Sequence, residues 1–312
     1  MMKSITHIVK DACIVGMLTD ALMPGKDRLL WPITWDQLAP LKELKLSLMG
    51  SEAAIDAIAD SGSSYHQERL MLLLSLLVTA SNYEGDSFTP PSWLTVHPLT
   101  YNSCPAELVQ KGKGSEPSGN GILGYLFYHA GCQRAFLIFS GTANGCMSMI
   151  DMDYVQVPYS ELTNYQDDVV GHRGFYHAYL SIRTRILELL QGYQKDGKLS
   201  ELVICGHSLG GGMSTVAAFD LAGLSPLHYS FAGPRVFNVV GAQLFNKIIG
   251  DRSTRITNTS DIVPTMPMSV MPNGNSFNHV GCCTDFQYNM GNYSDNHSLA
   301  YLLHYQLVSI AK

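Results

Sequence analysis

The chain has 312 residues, of which 46% are hydrophobic and 15% charged, and its formal net charge is -6. That length and apolar content are enough to bury a large core, and the mild acidic balance leaves no electrostatic footprint for nucleic acid or an anionic membrane surface. The 7 cysteines are odd in number and never fall as CxxC, so neither a disulfide framework nor a zinc site is indicated.

In chain order, residues 1–83 read as helical: Asp36–Met49, Glu52–Ile58 and Tyr65–Ala80 are helix-length runs parted by Pro, Gly and Ser breaks. The strongest apolar stretch, Leu70–Ala80, is shorter than the roughly 20 residues that a spanning helix needs. Near the start, His7, Lys10 and Asp11 interrupt any long apolar region and Asp20 closes the uncharged run Ala12–Thr19. A cleaved signal peptide is therefore not expected, and cytoplasmic residence and export by a non-cleaved route both stay open.

Residues 89–120, rich in Pro, Gly, Ser and Lys-Gly pairs, read as loop, and Ile122–His129 with Arg134–Ser140 as a hairpin turning at Ala130-Gly131. Then elements alternate: helix His177–Gln191, strand Glu201–Cys205, helix Leu209–Leu221, strand Leu227–Ala232, helix Val239–Ile249, strand Thr254–Asn258. Such alternation predicts an α/β fold, a central mostly parallel sheet flanked by helices. Phe175, Tyr179, Ile182, Ile186 and Leu189 recur at spacings of three and four, a stripe that needs a sheet to cover. With no linker to split the chain, one domain over 1–312 is expected, with a helical N-terminal extension (1–83) and a core (84–312).

The chemistry is written at Gly206-His207-Ser208-Leu209-Gly210, a GxSxG pattern between the apolar strand Leu202–Cys205 and a helix-forming stretch. Gly206 and Gly210 lack Cβ atoms, so strand and helix can approach around a sharp turn that presents the Ser208 hydroxyl as a nucleophile. The Leu209 N–H falls in the first helical turn, where unpaired donors and the helix dipole favour a developing oxyanion. His207, adjacent on the elbow, points away from Ser208 and reads as a packing and hydrogen-bonding residue outside the triad.

These residues resemble the class 3 lipases, a family of the α/β-hydrolase superfamily typified by secreted fungal lipases, over about Gly124–Tyr301. Phe139-Ser140-Gly141-Thr142 is similar to FRGT, His172-Arg173-Gly174-Phe175 with Ala178-Tyr179 to HxGF…AY, and Gly206–Gly211 to GHSLGG. Phe231–Val236 resembles TFGxPRV, and Asn258–Pro264 resembles NxxDxVP. The resemblance implies a triad in the order Ser208, Asp261, His297, with Asp261 as acid and His297 as base, and Thr142 as the second oxyanion donor beside Leu209. His279 in Phe277–Gly281, read as a strand, and His304 within the C-terminal helix are the competing histidines. His297 is expected to open that helix, whose Leu299, Leu302, Leu303 and Ile310 face inward.

Two departures stand out. Ser140 replaces the family's Arg, and the lid segment after Thr142 lacks the usual Trp. In its place Met147, Met149, Ile150 and Met152 make an adaptable apolar surface that suits covering a site, meeting an acyl chain or plain packing alike. Asp151 stands at the family's acidic position.

Motif and resemblance together predict a serine carboxylic-ester hydrolase, acting on acyl-glycerol or related lipid esters through an acyl-enzyme, with transient contact at a lipid interface and no nucleic-acid partner. No cofactor is called for, and no HExxH or aligned His pair suggests a metal. A phospholipase A or lysophospholipase and an acyltransferase share the triad; products formed with added alcohol would separate transfer from hydrolysis. A non-catalytic lipid-binding protein on the same fold is the reading from another class.

Overall fold

The computed structural model describes residues 94–101, 121–142, 153–164, 166–287, 289 and 293–297. The N-terminal helical extension, the Met147–Met152 segment, Asp151, His304 and the inward-facing residues expected on the C-terminal helix lie outside them.

A 7-stranded sheet runs in the order β1-β2-β3-β6-β7-β8-β9. The strands are β1 Leu94–Tyr101, β2 Gly121–His129, β3 Arg134–Phe139, β6 Glu201–His207, β7 Leu227–Phe231, β8 Ser253–Asn258 and β9 Cys282–Phe286. The β1/β2 and β2/β3 pairs are antiparallel, and every later pair in this sheet is parallel. A small ribbon pairs β4 Gln156–Pro158 with β5 Val170–His172.

The expected hairpin is β2–β3. The expected crossover helices are α1 Arg173–Lys195, α2 Leu209–Asp220 and α3 Val239–Ile248. The α1 stripe of Phe175, Tyr179, Ile182 and Ile186 is buried, with Leu190 fully buried and Leu189 only partly so. Strands β2, β3 and β6 are buried at nearly every position, because both faces of this central part of the sheet are covered; hence their continuous apolar runs.

Two expectations need correction. Residues 89–120 contain β1, which carries Pro98 and breaks register between Leu99 and Thr100. Proline cannot donate to a ladder and is tolerated at a sheet edge, and β1 is the edge. Phe277–Gly281 is not a strand: it carries one isolated β-bridge, Phe237↔Asn278, and Gly281 at φ 73° turns the chain so that β9 begins only at Cys282.

Where α1 meets the end of α2, buried Asp220 receives Arg183 Nε at 2.7 Å and Nη2 at 3.1 Å, Tyr179 Oη at 2.8 Å and Thr163 N at 2.7 Å. Burial pushes the Asp220 carboxyl up, but these donors, Arg183 foremost, hold it below the usual carboxylate range.

Candidate active site

At the carboxyl end of β6 the backbone bends sharply: Ser208 sits at φ 58°, ψ -124°, a region that a residue with a Cβ rarely adopts and that surrounding contacts must impose. Its N–H donates to Phe231 O at 3.0 Å, and its carbonyl accepts from Gly211 N at 2.8 Å and Gly212 N at 3.2 Å. A Cβ on Gly206 would lie 2.2 Å from the backbone of Gly210, and one on Gly210 2.4 Å from Phe139 O. The two glycines are therefore required by the close approach of β3, β6 and α2.

Phe139 is in register with Gly206, so Ser140, Gly141 and Thr142 leave the sheet beside the elbow. Ser140 is fully buried, its N–H on Leu123 O and its hydroxyl on Gly141 O, both at 2.9 Å. Thr142 is half-buried. Leu209, the first residue of α2, is fully buried and follows Ser208, the N-cap. The first-turn N–H groups of a helix lack intrahelical partners. The elbow end of α2 and the end of β3 thus sit side by side.

Asp261 follows β8 by three residues, and its side chain is fully buried. Its Oδ1 accepts from Val263 N at 2.9 Å, and its own N–H donates to Asn258 O at 2.9 Å. His297 follows the four-residue helix α4, Tyr293–Asn296. Its Nδ1 is 2.7 Å from Asp261 Oδ2, and its Nε2 is 2.7 Å from Ser208 Oγ. Three residues separated by 89 and 36 positions are thereby joined into one hydrogen-bonded chain. An ionised Asp261 can only accept, so Nδ1 carries the proton and Nε2 is left to accept from the Ser208 hydroxyl.

The competing His279 behaves otherwise. His279 donates through Nε2 to Pro264 O at 2.6 Å, and burial, helped by repulsion from Arg255, pushes it down to about 3. His172 caps the N-terminus of α1, accepting through Nδ1 from Phe175 N at 3.4 Å, with its ring stacked on Phe175 at 3.8 Å. No group of three or more His, Cys, Asp or Glu among the described residues could hold a metal ion.

The sequence did not disclose the groups around His297. His207 Nε2 is 2.9 Å from His297 O, and the two imidazoles lie 4.7 Å apart, tilted by 30°. Asn258 Nδ2 donates to Asn296 O at 2.9 Å, and Asn296 Nδ2 to Ser260 O at 3.1 Å. Only the position of Asn258 at a carboxyl strand end hinted at such a role.

Residues 136–271 match the family model described as Lipase (class 3). The chain is 33% identical over 108 residues to the secreted mono- and diacylglycerol lipase A of Penicillium cyclopium, covering 34% of this chain and 35% of that one. To a secreted mono- and diacylglycerol lipase of Malassezia restricta it is 28% identical over 160 residues, covering 49% and 52%. The chain thus spans about a third to a half of the length of these curated relatives.

Among solved structures it is similar to the mono- and diacylglycerol lipase from Aspergillus oryzae, with TM-score 0.53 and 18% identity over 75% of this chain and 84% of that one. A lipase from Yarrowia lipolytica gives TM-score 0.55 and 17% identity over 72% and 79%. At such identities these likenesses establish the fold.

The relatives' names also correct one expectation. They are called secreted, which points to export and overturns the reading that left cytoplasmic residence open. That reading rested on charged residues interrupting the first 20 positions, and an export signal is recognised as a short apolar run rather than by overall composition. With a mostly parallel sheet flanked by helices, the chain has the fold of these fungal lipases, and residues 136–271, which include the elbow, are similar to the class 3 lipases.

Proposed function

We propose that this protein is a serine carboxylic-ester hydrolase that cleaves acyl-glycerol or related lipid esters. The observation that carries this reading is the pair of 2.7 Å contacts linking Ser208, His297 and Asp261. Ser208 Oγ attacks the ester carbonyl while His297 Nε2 takes its proton; the same nitrogen then protonates the departing alcohol. Buried Asp261 holds the imidazole in the required tautomer and stabilises the imidazolium. Water, deprotonated by His297, attacks the acyl-Ser208 ester and releases the acid.

The N–H groups of Leu209 and Thr142 are the oxyanion donors in this reading, supported by their places on adjoining elements at the elbow. The choice of an acyl-glycerol follows the relatives named as mono- and diacylglycerol lipases. Contact with a lipid surface is supported by apolar residues beyond the acid: Ile262, Met268 and Val270 are 45%, 49% and 66% exposed.

The test is hydrolysis of p-nitrophenyl esters of graded chain length and of a monoacylglycerol, by the full chain and by Ser208→Ala. Release lost in the variant supports the reading, with the chain-length profile defining the acyl preference. Equal release by both, or none by either on every ester, contradicts it.

A further inference from the structure

His297 lies directly after a helix of only four residues, with its N–H on Tyr293 O at 3.2 Å. So short a helix has almost no stability of its own, and its place is set by what its last carbonyls meet. Two consecutive carbonyls are taken by buried side chains from the sheet. His207, at the end of β6, donates through Nε2 to His297 O, and Asn258, at the end of β8, donates through Nδ2 to Asn296 O, each at 2.9 Å. Asn296 Nδ2 returns a bond to Ser260 O at 3.1 Å, and Asn258 Oδ1 accepts from Ser260 N at 3.1 Å. The turn is therefore tied through Asn296 to the loop that carries Asp261 and through His297 O to the end of β6.

We propose that His207 and Asn258 are positioning residues: together they clamp the backbone of the base-bearing turn and so keep His297 Nε2 within reach of Ser208 Oγ throughout the reaction. This rests on the Ser208–His297–Asp261 reading. The imidazole's contact with Ser208 cannot do this alone, because that bond is broken once Oγ is acylated. In the acyl-enzyme His297 keeps Asp261 at Nδ1, while Nε2 must hold a water aimed at the ester. The clamp bonds touch no reacting atom and persist through both half-reactions. Deacylation is therefore the step that depends on them most.

The choice of histidine at 207 is consistent with this. It is buried, and burial first, with repulsion from His297 second, pushes its protonation far below the ordinary histidine range. It stays neutral while His297 gains the Ser208 proton, so its ring can lie against that of His297 without opposing the imidazolium. The Nε2–H tautomer, the one that donates to His297 O, is then fixed.

Three variants of the full chain test the clamp. His207→Phe keeps an aromatic ring against His297 and removes the donor; His207→Gln returns an amide donor; Asn258→Ala removes the second tie. On p-nitrophenyl butyrate, His207→Phe and Asn258→Ala should each lower kcat roughly 10- to 100-fold, as a sub-ångström to 1 Å displacement of a reacting group does. The pre-steady-state burst is retained, because deacylation slows more than acylation. His207→Gln should recover most of the loss.

Wild-type kcat and an unaltered burst in a folded His207→Phe overturn the proposal, as does failure of His207→Gln to exceed His207→Phe at equal melting temperature. Should His207→Phe not fold, Asn258→Ala carries the same decision. Absence of Ser208-dependent turnover in the wild type contradicts the esterase reading instead. The clamp is then decided by the NMR signals of the His297 ring, which must shift in His207→Phe if the clamp exists and stay in place if it does not.

Discussion

Ser208 and His297 meet at 2.7 Å, yet the chain holds them by different means. Ser208 stands on an elbow of contiguous residues, where glycine-lined contacts as tight as 2.2 Å to an added Cβ force one backbone path. His297 stands after a four-residue helix, and the carbonyls of that turn are held by side chains that lie 90 and 38 positions from them. A sterically built element fails by strain and takes the fold with it. One held by polar ties fails by displacement, and the fold survives.

The largest effect that would break this contrast is at Ser208. Ser208→Ala should lower kcat by about 10⁵- to 10⁶-fold with little change in unfolding midpoint, since α2 is capped there without a side-chain bond; a collapse of stability would mean that the hydroxyl, not the glycines, holds the elbow. Next, Asp261→Asn should lower kcat by about 10⁴-fold through the wrong imidazole tautomer, read in steady-state kinetics beside circular dichroism showing the native fold. A folded Asp261→Asn with near-normal turnover would remove the acid from the triad.

Smaller in energy but opposite in kind is Gly206→Ala. Its methyl would overlap the Gly210 backbone, so a loss of about 3 kcal/mol in denaturant unfolding is expected, with activity falling in step with the folded fraction.

Acidity sharpens the comparison further, because each region keeps a neutral buried histidine. Behind the elbow, Ser214 Oγ donates to Gly211 O at 2.9 Å and so accepts from His228 Nε2 at 3.0 Å, leaving Nδ1 to accept from Ser253 Oγ at 2.8 Å. Burial pushes His228 down to about 3, as it does His279 beside the acid's loop. The unfolded chain binds a proton at each as pH falls below about 6.5 while the folded chain does not. Stability is thus full above that value and is lost progressively between about 6.5 and about 3, with a slope of about 1.4 kcal/mol per pH unit for each histidine. Urea midpoints at pH 7, 6 and 5 test this, and His228→Gln should reduce the slope by one proton.

The same contrast explains what was legible in the sequence. The elbow, the α1 stripe and the β2–β3 hairpin depend on neighbours in the chain, so glycine spacing and apolar period announced them. β1 was hidden because Pro98 and its polar flanks read as loop, and only pairing with β2 at a sheet edge makes it a strand. β9 was displaced by five residues because Phe277 and Val280 are apolar, whereas Cys282–Asp285 are exposed and show no alternation. Asp261 and His297 came from resemblance to a family, not from any local pattern. His207 reads from its place on the elbow as a packing and hydrogen-bonding residue, but its tie to His297 is a long-range contact that no spacing encodes.

Every residue of α2, Leu209 to Asp220, is buried, and a Cβ at Gly212 would strike Phe175 at 2.7 Å. This has an evolutionary meaning. A helix without a wet face has no position at which a change is neutral, so drift is confined to the rims, such as the outer side of α1 and the loop carrying Met268 and Val270. Change can be absorbed there without disturbing the packing behind Ser208. In a saturation library the α2 codons should tolerate almost nothing, and those loop codons almost everything that keeps the chain soluble.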